Sequence, residues 1–274
     1  MSKPKLPQFP PSFLLLQQEG ELMSSCLGLG LSEIRAAHVH NKGAFYAAMF
    51  NFSAGMERLL KVIFIIDHML ENQLQAPTRK QLKAYGHGLA DLYEKCAEIA
   101  SKRKISFAGR NALDAIDQDL IKLLSDFSQI SRYHNLDALS ASAKTEDPLV
   151  CWQKLISAVL STDVPKKKRE KAIAHGAELG SVLEKNSLTI MHGLDGNPLT
   201  TTDAVTIPSL HELASPFIVL RLIKLLSMMR DVLTEVSHSA YKLRNRIPPF
   251  PQMQEYLEWV LDDPQYVLRK KKWP

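Results

Sequence analysis

Between Phe217 and Val236 the chain reads Phe217-Ile-Val-Leu-Arg221-Leu-Ile-Lys224-Leu-Leu-Ser227-Met-Met-Arg230-Asp231-Val-Leu-Thr-Glu-Val236, and this stretch decides the fold. Its apolar side chains wrap nearly the whole circumference of a helix over the first turns, so other elements or lipid must surround it on all sides. Arg221, Lys224, Arg230 and Asp231 decide between the two, because charges at mid-bilayer are too costly for a membrane span. The expectation is an all-α protein with this helix innermost and no membrane contact. Ser215-Pro216 supplies a cap and a first-turn proline, which predicts a helix from Phe217 to about Lys242.

Working outward, the rest of the chain repeats the 3.6-residue period. Only 12 glycines in 274 residues, with 45% hydrophobic content, weigh against a turn-rich β protein. Phe45, Met49, Phe52, Met56, Leu59, Leu60, Ile63, Ile66 and Leu70 step by three and four, which predicts a first long helix over 44–73, closed by Pro77. Thr78-Arg-Lys-Gln81 is a capping box and opens a second helix carrying Leu82, Leu89, Leu92, Cys96 and Ile99. A third begins near Arg110 and follows Ile116, Leu120, Leu123, Phe127 and Ile130; Asp147-Pro148 starts a fourth; Lys166 to Asn186 forms a basic, then amphipathic, fifth. Residues 193–208 lack any period and read as a surface loop, and 253–261 as a last short helix. The expected architecture is an antiparallel helical bundle over residues 31–246. A proline-containing N-terminal tail (1–30) precedes it, a short helix starts near Ser32, and a C-terminal short helix with a basic tail (247–274) follows.

The net charge of +5 makes a polyanionic partner reasonable without demanding one. Three cysteines, Cys26, Cys96 and Cys151, are far apart and odd in number, which fits a reducing cytoplasm better than a disulfide framework. His38-Val-His40 lacks the one-turn spacing of a zinc motif, and no Gly-rich phosphate loop, nucleophile elbow or dinucleotide fingerprint occurs, so neither metal nor cofactor is expected. The carboxylates Glu57, Asp67, Glu71, Asp114, Asp117 and Asp119 read as solvated helix faces, since di-metal bundles carry a Glu-x-x-His pair on each of two helices and the sequence has that spacing once, at Glu235-Val-Ser-His238.

Three segments carry a resemblance. Phe52-Ser-Ala-Gly55-Met-Glu57-Arg-Leu59-Leu60-Lys61, Tyr85-Gly86-His87-Gly88-Leu89-Ala-Asp-Leu92 and Phe127-Ser-Gln-Ile-Ser-Arg132-Tyr133-His134-Asn135-Leu136-Asp137, placed on successive helices, resemble the HEPN superfamily over about residues 42–140. The resemblance implies an antiparallel bundle, frequently a homodimer, acting in toxin–antitoxin, phage-defence or RNA-processing settings. Its partners would be RNA, a nucleotide, an antitoxin or the subunit of a larger complex. Many members are metal-independent endoribonucleases marked by an arginine and, after four to six residues, a histidine. That spacing occurs at Arg35 with His40 and at Arg169 with His175, where chance alone supplies about one. Neither arginine is followed by Asn, Asp or His, so the resemblance implies a degenerate motif. The catalytic candidates are Arg132 with His134, where the third helix ends, or Arg169 with His175; a histidine would move the proton and an arginine would hold the phosphate charge. The RNA-binding candidates are Lys166, Lys167, Lys168, Arg169, Arg244 and Arg246, with Arg269 to Lys272 as a further basic run.

Overall fold

A computed structural model describes residues 9–106, 113–243 and 248–274, and the expected start near Arg110 and the candidates Arg244 and Arg246 lie outside these residues. Among the described residues the protein is all-α. Its helices are α1 (Pro11–Ala36), α2 (Lys42–Glu71), α3 (Arg79–Ala84), α4 (Leu89–Lys102), α5 (Ala115–Gln129), α6 (His134–Leu139), α7 (Pro148–Thr162), α8 (Lys166–Leu183), α9 (Thr201–Tyr241) and α10 (Pro264–Val267). 3-10 turns cover Ser131–Tyr133 and Met253–Leu261, the second broken by non-helical φ/ψ at Leu257. Extended pairing is limited to the isolated bridges His38 to Asn41 and His192 to Pro198.

The apolar rod is central. Ile218, Val219, Leu222, Leu225, Leu226, Val232, Leu233 and Val236 are all buried, and α9 packs against α1, α2, α4, α5, α7, α8, α10 and the second 3-10 turn. The helix begins earlier than its prolines suggest. Thr200 and Asp203 form a reciprocal capping box, and Pro208 and Pro216 lie inside one continuous helix instead of ending a loop and starting a new one. Pro216 has no N–H for the Glu212 carbonyl, and the Ser215 hydroxyl donates to that oxygen at 3.4 Å. The residue read as a cap therefore satisfies a carbonyl in mid-helix.

The N-terminal tail expected over 1–30 gives way to α1, which starts at Pro11 and buries Leu16, Met23, Leu27 and Leu31. Glycine misleads the sequence reading here, because Gly20, Gly28 and Gly30 look like helix breakers but are contact points. A Cβ on Gly30 would sit 2.7 Å from the Phe52 backbone nitrogen, and one on Gly55 of α2 would sit 2.8 Å from that of Leu27. The two backbones approach too closely for any side chain, and the pairing of residues 27 and 30 with 55 and 52 makes the helices antiparallel. The chain's basic end returns to the same helix. Trp273 is buried, its amide donates to Ser32 Oγ at 2.9 Å, and a Cβ on Gly28 would meet the Pro274 carbonyl oxygen.

The second expected helix divides in two. The Thr78–Gln81 capping box forms as read, but Gly86 at φ 77° stops the chain after α3, and α4 restarts at Leu89. Asp147 caps α7 through the Leu149 amide at 2.8 Å, as its sequence predicts.

α9 also carries a buried histidine into the core. His211 is 2% exposed, its ring lies edge-on to Phe45 at 5.9 Å, and neither ring nitrogen has a hydrogen-bond partner among the described residues. Burial, reinforced by the nearby His38 and His40, pushes its pKa down to about 4. A neutral histidine in the fold and an ordinary one in the unfolded chain make the unfolded state bind more protons between these values. Stability is therefore complete above pH 6.5 and falls by about 3 kcal/mol as the pH drops towards 4. Urea unfolding should show about 2 kcal/mol of this loss between pH 7 and pH 5, and His211→Leu should flatten the difference.

Candidate functional site

The first candidate pair does not form a site. Arg132 lies in the 3-10 turn after α5, exposed, with its guanidinium 5.3 Å from the centre of the Tyr133 ring. His134 is half-buried at the start of α6, its Nδ1 unpartnered, and no hydrogen bond joins it to Arg132 among the described residues. α6 itself buries no residue, so this corner of the surface has no walls to hold a substrate.

The second pair is divided by helix geometry. Six residues along α8 separate Arg169 from His175, which places them about 120° apart around the axis. Arg169 is half-buried with an unpartnered Nε, whereas His175 is exposed. The cause lies in the packing of α8, which buries only Gly176 and Gly180. A Cβ at either glycine would come within 2.0 or 2.3 Å of the Thr206 or Thr202 hydroxyl on α9. This close seam is the main contact of α8, and it leaves the lysine-bearing face turned outward.

His175 meets the other arginine that the sequence singled out. Arg35, Lys168, Lys171, His175, Ser209 and Glu212 line a cleft of about 480 Å³ between the C-terminal end of α1 and the helices α8 and α9. Arg35 is held in place: its Nη1 donates to Ser215 Oγ at 2.9 Å and its Nε to the Lys270 carbonyl at 3.1 Å. Burial lowers its pKa from the usual arginine value, with Glu212 opposing. Glu212 is the one acid of this cleft, and Lys271 stands 3.6 Å from its carboxylate. Lys166 and Lys167 continue the exposed basic face, Lys166 within 3.7 Å of Glu170. The C-terminal basic run is less free than its sequence suggests. Lys270 donates to Asp262 at 2.8 Å and lies over the rings of Tyr266 and Trp273.

A second cluster escaped the sequence reading. Asp114 and Asp117 were expected on a solvated helix face; instead Arg221 sits among Asp114, Asp117 and Asp163 at 2.8, 2.8 and 2.6 Å, and Lys224 reaches Asp117 at 2.7 Å. Asp117 is fully buried. The hydrogen bond that Arg221 donates to Asp163, with those to the other two carboxylates, drives its pKa further up against the effect of burial. At Asp114, burial raises the pKa but is outweighed by the Asp117 amide and by Arg221, so the carboxyl stays below its usual value. The network borders a cleft of about 660 Å³ whose apolar wall is Phe217, Leu220, Ile223, Val260, Leu261 and Pro264. Arg221 occupies the centre of the carboxylates, and among the described residues no group of three His, Cys, Asp or Glu side chains is arranged to hold a metal ion.

No protein-family model, curated protein or solved structure matches the chain.

The network predicts an asymmetry in stability. Arg221→Met leaves the buried Asp117 with Lys224 alone and Asp163 without its arginine, and should destabilise the protein by about 3 kcal/mol. Lys154→Ala, which breaks only the exposed pair with Glu146, should leave stability almost unchanged. Chemical denaturation of both variants at neutral pH checks the contrast.

Proposed function

We propose that the protein is a HEPN-like helical bundle that binds RNA through the basic cleft between α1, α8 and α9, in a phage-defence or toxin–antitoxin setting in the cytoplasm. One observation carries this reading: Arg35 of α1 meets Lys168, Lys171 and His175 of α8, distant from it in the chain, in one cleft whose described lining includes a single acid. Arg35 is anchored by two hydrogen bonds and presents a fixed fork, a good geometry for a phosphate; the lysines add mobile point charges. Polyanion binding of this kind releases counterions and weakens steeply with salt. Three free cysteines, and the finding that no described helix is long and apolar enough to cross a membrane, agree with the setting.

Fluorescence anisotropy of a labelled single-stranded RNA across a salt series tests the reading. Lys168→Glu/Lys171→Glu should weaken binding at least about tenfold and make the logarithmic salt slope shallower by about two phosphate contacts. Lys154→Ala, on an exposed pair with Glu146, should leave binding unchanged. Wild-type affinity no greater than that of an unrelated protein of equal net charge would overturn the proposal.

A further inference from the structure

Residues 270–274 lie on α1 in a fixed register. Arg35 Nε donates to the Lys270 carbonyl at 3.1 Å, the Trp273 amide donates to Ser32 Oγ at 2.9 Å, and a Cβ on Gly28 would overlap the Pro274 carbonyl oxygen. Positions 28, 32 and 35 share one face of a helix, so this segment runs antiparallel along a single stripe of α1. Ser32 Oγ spends its own proton on the Gly28 carbonyl at 2.8 Å, which leaves its lone pairs for the Trp273 amide.

The segment is seated at both ends. Trp273 is buried against the core, and upstream Val267 of α10 is fully buried, with α10 packed on α9. Lys270 sends its ammonium to Asp262 at 2.8 Å and over the rings of Tyr266 and Trp273, so its charge is spent locally while its carbonyl meets Arg35. The next residue, Lys271, stands 3.6 Å from Glu212, the acid of the cleft. Arg35 is therefore held from two elements, by this segment and by Ser215 of α9. Two of the five N–H groups of an arginine are used in this way, and the others remain for an anion in the cleft. Fixing the side chain beforehand removes the rotamer entropy that a free arginine loses when it takes a phosphate.

We propose that residues 270–274 are a strap that sets the anion-binding geometry of the basic cleft, with Lys270 as a positioning residue acting through its carbonyl and Trp273 as the anchor. Its effect on RNA rests on the binding function proposed above; its hold on Arg35 does not. The strap contributes order more than charge. Unseating it leaves every cation of the cleft in the chain and frees the one arginine whose fork is fixed.

Two variants unseat the strap from different sides. Trp273→Ser removes the anchor, and Gly28→Ala pushes against Pro274 from α1, away from the cleft lining. The first readout uses no RNA: the arginine-selective reagent phenylglyoxal is added to the full chain, and modification of Arg35 is followed by peptide mass spectrometry. Arg35 should react about fivefold faster in both variants, whereas Arg132, exposed and distant in sequence, should react at the wild-type rate. Trp273→Phe, which keeps a ring in the seat, should protect Arg35 as wild type does. The second readout is RNA anisotropy. Both variants should bind about fivefold more weakly with a logarithmic salt slope within about one phosphate contact of wild type, unlike Lys168→Glu/Lys171→Glu, which removes charge. Wild-type Arg35 reactivity in both folded variants would overturn the proposal. Faster reaction with RNA affinity unchanged would overturn the strap's part in binding. Faster reaction in a protein that binds no RNA even as wild type would overturn the RNA reading alone and leave the hold on Arg35 standing.

Discussion

A carboxylate sealed from water must find its positive charge inside the protein, and Asp117 imposes that constraint on this fold. Arg221 and Lys224 meet it from α9, and Arg221 also gathers Asp114 at the head of α5 and Asp163 at the end of α7. Two helices, α5 and α7, are thereby locked in rotation and register against α9, which both of them cover. Hydrophobic burial alone would leave α9 free to turn, because its apolar surface runs nearly all the way round. The ionic contacts choose a single orientation, and that orientation carries the first half of α9, with Ser209 and Glu212, to the basic cleft.

The sequence makes the long apolar stripes legible and hides whatever depends on small residues. Every predicted α2 position from Phe45 to Ile66 is buried, because a three-and-four spacing has one physical meaning in a helix. α1 was lost because glycine carries a helix penalty in isolation, whereas here it lets the α1 and α2 backbones meet. The start of α9 and the cap of α5 were lost for a related reason. Thr200 with Asp203 and Asp114 with Asp117 make capping boxes closed by the shorter acid, while the familiar pattern ends in Glu or Gln, as at Thr78 and Gln81.

The sites were less readable than the fold. Spacing along the chain paired Arg169 with His175, but the glycine seam of α8 turns them to different sides, and the structure instead brings His175 to Arg35. The three carboxylates around Arg221 come from 114, 117 and 163, and no local pattern announces such a meeting.

One small group links two of these features. The Ser215 hydroxyl donates to the carbonyl that Pro216 leaves unpaired, and the same oxygen accepts from Arg35. A proline that would otherwise be only a flaw in α9 therefore requires, one position earlier, the hydroxyl that orients the cleft's arginine. Alanine at 215 would disturb helix and cleft together, and threonine could supply the hydroxyl only where there is room for its methyl. Variation at that position is thus restricted by two neighbours at once, and drift at one would have to be answered at the other.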